Sequence, residues 1–143
     1  QVPNYAMLTW EDVRNLDERS AGYEVGGHTV NHEVLSTLSD ETLCFEVSQS
    51  ISDLEINLGH PVDLFAYPEG QLEHFNERVI EVLKQDGITI SPTAISGVNP
   101  PGTDPFHLRR VMVGFMNEPF PYDFFESSNT FSPVNSTCKS NSI

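Results

Sequence analysis

Apolar residues at Leu43, Val47, Ile51, Leu54 and Leu58 recur at spacings of 4, 4, 3 and 4, the period that lays a single stripe along an α-helix. Ser39 stands at the N-cap with Asp40 and Glu41 in the first turn, where carboxylates complement the helix dipole. Gly59 ahead of Pro61 supplies the stop. A second helical pattern follows Thr9 and carries Val13 and Leu16, with Asp12 as the return partner of an approximate capping box and Gly22 as its expected end. A third runs roughly from Asn76 to Asp86 and stops at Gly87.

Between these helices lie short apolar stretches. Tyr23-Glu24-Val25-Gly26-Gly27 reads as a brief strand that opens into the loop His28-Thr29-Val30-Asn31-His32. Val62-Asp63-Leu64-Phe65-Ala66 is a second strand candidate, running into Tyr67-Pro68-Glu69-Gly70, where Pro and Gly mark a turn. Ile88-Thr89-Ile90 is a third. Helices alternating with strands at these intervals predict an α/β fold of βα units with a mostly parallel sheet. Such folds place function at the carboxy ends of the strands, where both the histidine pair and the Tyr67–Gly70 turn fall.

From Ser91 to Pro105 the chain carries four prolines and two glycines, which predicts a long irregular connection before Phe106 to Val113 resumes a strand-like pattern. Past Asn117, Phe120, Tyr122, Phe124 and Phe125 are read as docking onto the body. Ser127 to Ile143, rich in Ser and Asn, is expected to be disordered. The domain is accordingly placed at residues 1–117, with a poorly ordered tail at 118–143. No internal repeat is found.

Composition narrows the class. A chain of 143 residues suits one domain with its own core. Seven Lys plus Arg against 21 Asp plus Glu give a formal charge of −14, which repels phosphate backbones and anionic lipid surfaces, so nucleic acid is excluded as an expected partner. A neutral or cationic polymer such as an amino-sugar chain is tolerated. No apolar run approaches the ~20 residues needed to span a bilayer. Cys44 and Cys138 form neither a CxxC pair nor a disulfide framework. The sequence opens at Gln1 with no initiator Met, basic segment or apolar signal region, so an export signal is expected upstream or already removed.

His28 and His32 stand at i and i+4, a spacing that lets two imidazoles converge on one ion. Such a pair recurs by chance, and its weight comes from the two glycines before it, the hydroxyl residue inside it and its place at a strand end. A zinc protease requires Glu directly after the first His, and Thr29 occupies that position. The plainer reading has one histidine bonding a backbone carbonyl and the other exposed. Among the remaining candidates, His60 is expected to meet the last carbonyls of a helix, and His74 and His107 to be surface or packing residues. Trp10 is expected as a core anchor, and Asn135-Ser136-Thr137 matches a glycosylation sequon.

Glu24-Val25-Gly26-Gly27-His28-Thr29-Val30-Asn31-His32 resembles the histidine motif of the polysaccharide deacetylase family, the NodB homology domain or carbohydrate esterase family four. Met7-Leu8-Thr9-Trp10 with Leu16, and Leu35-Ser36-Thr37-Leu38-Ser39, are similar to its flanks. Gly59-His60-Pro61-Val62 leading to Phe65-Ala66-Tyr67-Pro68-Glu69-Gly70 resembles its next motif, and Asp104 to Val111 a late strand. The landmarks run in order from Met7 to Val113, corresponding to the carboxy-terminal part of that domain.

The resemblance implies an incomplete irregular β/α barrel and a metal-dependent hydrolase that removes N- or O-acetyl groups from a carbohydrate, acting on carbon–nitrogen bonds other than peptide bonds. It implies that His28 and His32 bind a divalent metal, zinc by preference. It further implies that Tyr67, Pro68, Glu69 and Gly70 form the substrate and oxyanion side, with a backbone N–H at Glu69 offered to the oxyanion. A secreted or cell-envelope location follows from the same resemblance. The sequence departs from the family in three places. No Thr-Phe-Asp-Asp-like motif precedes His28, so the base aspartate is expected to lie outside this segment; Asp12 and Asp17 follow no apolar strand. Ala66 stands where many members carry an arginine, with Arg109 or Arg110 as a weaker compensating candidate, and Glu69 replaces an aromatic residue. Two rival readings are a non-catalytic relic or carbohydrate-binding module on the same scaffold, and a plain α/β domain whose histidines do no chemistry.

Overall fold

The structure is a computed structural model that describes residues 7–17 and 21–111. The tail at 118–143 and the end of the last strand-like stretch lie outside the described residues. Helix α1 (Trp10–Leu16) starts at Thr9, whose Oγ1 accepts the Asp12 N–H at 3.2 Å while Asp12 takes the Thr9 N–H at 2.8 Å, so the capping box is formed. It ends well short of Gly22. Asp17, its C-cap, leaves helical geometry, and its carboxylate accepts the Val25 N–H at 2.9 Å and meets His60 Nε2 at 2.5 Å.

Helix α2 (Asp40–Leu58) and helix α3 (Glu77–Gln85) lie where the apolar periodicity puts them. Ser39 and Asn76 cap their first turns, and Gly59 closes α2 with φ 79°, a left-handed conformation that costs a side-chain-bearing residue more.

The three short strand segments pair in parallel through single bridges, Gly27 with Phe65 and Leu64 with Ile90. Gly27 N–H donates to Leu64 O and Ala66 N–H to Gly27 O, both at 2.9 Å, and Phe65 N–H donates to Ile90 O at 3.1 Å. Strand β1 (Pro92–Ser96) then pairs in parallel with strand β2 (Leu108–Arg110). The expected irregular connection from Ser91 therefore begins with a strand. Pro92 is tolerated because it occupies the first strand position. The Thr93 hydroxyl donates to Leu108 O at 2.9 Å, and the Arg110 guanidinium donates to Thr93 O. The remaining prolines lie in the return segment and in the 3-10 turn Pro105–His107 ahead of β2.

Side chains Leu43, Val47 and Ile51 of α2 and Val79, Ile80, Val82 and Leu83 of α3 close over Phe65, Tyr67, Phe75 and Ile88 in one buried cluster. Each fully buried side chain of this size contributes roughly 1.5–3 kcal/mol. Helix α1 has no buried residue, and Trp10 is 43% exposed. The core-anchor reading of Trp10 is thus corrected: its helix buries no face among the described residues and touches α2 through Arg14 Nη1 donating to Asn57 O at 3.4 Å.

The tightest packing lies at the glycine pair. A Cβ on Gly27 would sit 2.6 Å from Ile51 Cδ1 and 2.8 Å from Phe65 Cδ2, and one on Gly26 would sit 2.8 Å from Leu64 O. Gly27→Ala is expected to lower the unfolding free energy by about 1–3 kcal/mol, the usual cost of overpacking, measured as a shifted urea midpoint at unchanged slope.

Candidate metal and acyl site

His28 begins where the Gly26–Gly27 segment ends. Its Nδ1 lies 2.6 Å from Ala66 O. A carbonyl only accepts, so Nδ1 carries a hydrogen, and in the neutral ring Nε2 is then the nitrogen with the lone pair. The ring of His32 meets that of His28 at 4.8 Å between centroids, edge to face with an interplanar angle of 72°. The expectation that one histidine bonds a backbone carbonyl is thus met by His28, and that same bond leaves its other nitrogen open as a ligand.

The loop between the histidines is strained. Thr29 has φ 66° and His32 φ 59°, and positive φ costs a β-branched residue of the threonine type most. Each such residue costs on the order of 1–3 kcal/mol. Part of the compensation is internal, since Thr29 Oγ1 accepts the His32 N–H at 2.9 Å. The larger part comes from α2. Glu46 Oε2 accepts the N–H groups of Val30 at 3.0 Å and Asn31 at 2.8 Å, while Oε1 accepts Asn31 Nδ2 at 2.6 Å.

Glu46 is 2% exposed. Burial by itself pushes its carboxyl pKa up, but the hydrogen bonds from the Asn31 side chain and from the Asn31 and Val30 backbones outweigh burial and hold it below the ordinary glutamate value. Hydrogen bonds to a charged acceptor contribute roughly 1.5–3 kcal/mol each, enough for three of them to offset the two strained residues. The sequence reading passed over Glu46. Its signal was a carboxylate three residues after Leu43 and four before Ser50, on the apolar face of α2 rather than its polar one.

The Tyr67–Gly70 turn directly follows Ala66, the acceptor for His28. Tyr67 and Pro68 are buried, Gly70 is buried and Glu69 is exposed. The Tyr67 ring stacks on Phe75 at 4.2 Å, and its hydroxyl donates to Phe106 O at 3.1 Å. Burial first, with the charges of Asp104 and Glu77 adding to it, pushes its pKa far up, so this phenol stays protonated. Glu69 has φ 59° and Gly70 φ 64°. Gly70 accepts the Ala94 N–H at 2.8 Å, and a Cβ there would meet Ala94 N at 2.7 Å.

The other candidates serve the framework. His60 Nδ1 faces Pro61 O at 3.0 Å and its Nε2 faces Asp17 at 2.5 Å, whose side chain is 5% exposed. His74 Nδ1 accepts the Gln71 N–H at 3.2 Å, and His107 pairs with Asp104 at 2.9 Å beside Phe75. Arg109 Nη1 donates to Ser96 O at 3.3 Å and Arg110 donates to Thr93 O, so both are tied to strand carbonyls. Asp12 is used in the α1 cap. Among the described residues no group of three or more His, Cys, Asp and Glu side chains is disposed to hold a metal ion.

The class this architecture defines is a parallel α/β scaffold with paired imidazoles beside a strand-end turn. The sequence profile described as polysaccharide deacetylase matches residues 3–91. The chain belongs to the polysaccharide deacetylase family. Its fold is similar to that of the Streptococcus pyogenes deacetylase PplD in complex with acetate, with a TM-score of 0.67 and 22% identity over 78% of this chain and 47% of that one. The deacetylase domain of BpsB from Bordetella bronchiseptica aligns with a TM-score of 0.65 and 18% identity over 75% of this chain and 49% of that one. IcaB from Ammonifex degensii aligns with a TM-score of 0.60 and 22% identity over 78% of this chain and 50% of that one. The chain spans about half the length of these structures. No curated protein sequence matches it.

Replacing Glu69 by Gly removes an unfavourable positive φ at an exposed position while adding the chain entropy of glycine. The expected net effect is a stabilisation of about 0.5–1 kcal/mol, read as a higher midpoint in chemical denaturation.

Proposed function

We propose that this chain carries the histidine side of a metal-dependent deacetylase that removes N- or O-acetyl groups from a carbohydrate, with His28 and His32 as two ligands of a divalent ion, zinc by preference. The observation that carries this reading is the hydrogen bond from His28 Nδ1 to Ala66 O, with the His32 ring at 4.8 Å. Ligating imidazoles characteristically donate their second nitrogen to a carbonyl or carboxylate, which sets the tautomer and aims the lone pair. The donor set therefore fits zinc, as part of a larger ligand set.

The chemistry a bound ion supplies is Lewis-acid polarisation of the acetyl carbonyl. The chain's own residues do the rest. Ala66 O keeps the Nδ1 hydrogen on His28. The Tyr67–Gly70 turn, its backbone set by the Gly70–Ala94 bond, offers the Glu69 N–H to an oxyanion. The proton from the attacking water needs a carboxylate, and Asp12 and Asp17 are both engaged in framework hydrogen bonds. By the family's pattern, we assign the base to an aspartate motif outside this segment. The charge of −14 suits a neutral or cationic substrate such as an acetylated amino-sugar polymer.

The test is acetate release from acetylated amino-sugar oligomers at equal zinc concentration. Three proteins are compared: this chain, a longer chain supplying an amino-terminal aspartate motif, and the longer chain with His28→Ala. This chain alone is expected to be slower by about 10²–10⁴-fold, the usual contribution of a general base, and His28→Ala is expected to abolish the activity of the longer one. Equal rates for the short and long chains would place the base within this sequence. An inactive longer chain that still binds the oligomers would favour the carbohydrate-binding reading.

A further inference from the structure

We infer that Glu46 is a positioning residue, whose buried carboxylate on α2 holds the His28–His32 loop in the one conformation that brings the two imidazoles together. This rests on the metal reading above for its functional meaning, although the ordering role is a property of the chain alone.

Three observations converge on it. Both carboxylate oxygens are spent on the loop: Oε2 on two consecutive backbone N–H groups, Val30 and Asn31, and Oε1 on the Asn31 side chain. Consecutive N–H groups aimed at one oxygen form an anion-binding concavity, and here the anion belongs to the protein. Second, the two residues of this concavity lie between Thr29 and His32, the two loop residues with positive φ. An anion at this point favours the conformation in which both amides face one way, and that conformation turns His32 back towards His28. Third, the carboxylate is buried and both of its oxygens are engaged by the loop, which keeps it from a substrate as an acid or base. It acts through the histidines.

The bond from His28 to Ala66 O holds one imidazole against the strands. Glu46 holds the segment leading to the other imidazole against the helix. The ring separation is therefore referenced to two elements that the core already locks together through Ile51 and Phe65.

The experiment compares the full chain with Glu46→Gln, Asn31→Ala and Val47→Ala. Zinc affinity is measured by chelator competition, and amide exchange of Val30 and Asn31 is measured in the metal-free proteins relative to amides of α3. Gln keeps the shape of Glu46 but removes the charge and turns an N–H₂ towards donors. Glu46→Gln is expected to speed exchange of both loop amides and to weaken zinc binding roughly 10–100-fold, the usual effect of removing a group that orients metal ligands. Asn31→Ala, which removes one of the three bonds at an exposed residue, is expected to shift both readouts less and in the same direction. Val47→Ala, which loosens the core beside Glu46, is expected to lower Tm while leaving relative loop exchange and zinc affinity as in the parent.

Unchanged loop exchange in Glu46→Gln overturns the inference, as does an equal loss of affinity and loop protection in Val47→Ala. Should Glu46→Gln fail to fold, Asn31→Ala decides: parental Val30 exchange and zinc affinity overturn it. A parent chain that binds no zinc removes the metal reading, and the exchange measurement then judges Glu46 by itself.

Discussion

The approach of the Gly26–Gly27 backbone to Leu64 and Phe65 is the constraint on which the rest of this structure depends. No side chain fits there, since a Cβ on either glycine would lie within 2.8 Å of a neighbouring heavy atom. Because the backbone comes so close, Gly27 bridges Phe65, the Ala66 N–H reaches Gly27 O, and the Ala66 carbonyl lies within reach of the first residue beyond the glycines. That residue is His28. The same contact aligns the end of this segment with the Tyr67–Gly70 turn, so the two motifs that stand 38 residues apart at His28 and Ala66 share one strand edge. A packing requirement in the core thus sets the position of the chemistry at the rim.

Backbone strain is concentrated in the same place. Every non-glycine residue with positive φ among the described residues, Thr29, His32 and Glu69, belongs to one of these two motifs. Strained conformations persist where the surroundings over-determine them. Around Thr29 and His32 the determining groups are the carboxylate of Glu46 and the hydroxyl of Thr29. Around Glu69 they are the buried Tyr67 and Pro68 before it and the Gly70–Ala94 bond after it. The rigid parts of α2 and β1 therefore hold two short loops that local preference alone would not keep.

Helix α1 contrasts with this. Its capping box is complete, yet it buries no side chain, and its end is tied down through Asp17. Local sequence is sufficient to start and stop a helix of seven residues. Packing decides whether it contributes to the core.

The sequence by itself determined α2 and α3 almost to the residue, because apolar period, N-cap oxygens and terminal glycines act within a few positions of one another. It also determined the α/β class, the parallel pairing implied by alternating elements, and the family through the spacing of Gly26-Gly27-His28 to His32 and the Phe65-to-Gly70 turn. Tertiary structure decided the rest. That Pro92–Ser96 is a strand depended on its parallel pairing with Leu108–Arg110, a partner more than ten residues away that proline content in a local window cannot register. Trp10 is exposed on a helix that has no buried residue. His60 turns to Asp17 across 43 residues of chain. Glu46 read locally as one more carboxylate in an acidic chain, and its distinction is a partner set drawn from Val30 and Asn31, residues that only the fold brings to the buried face of α2.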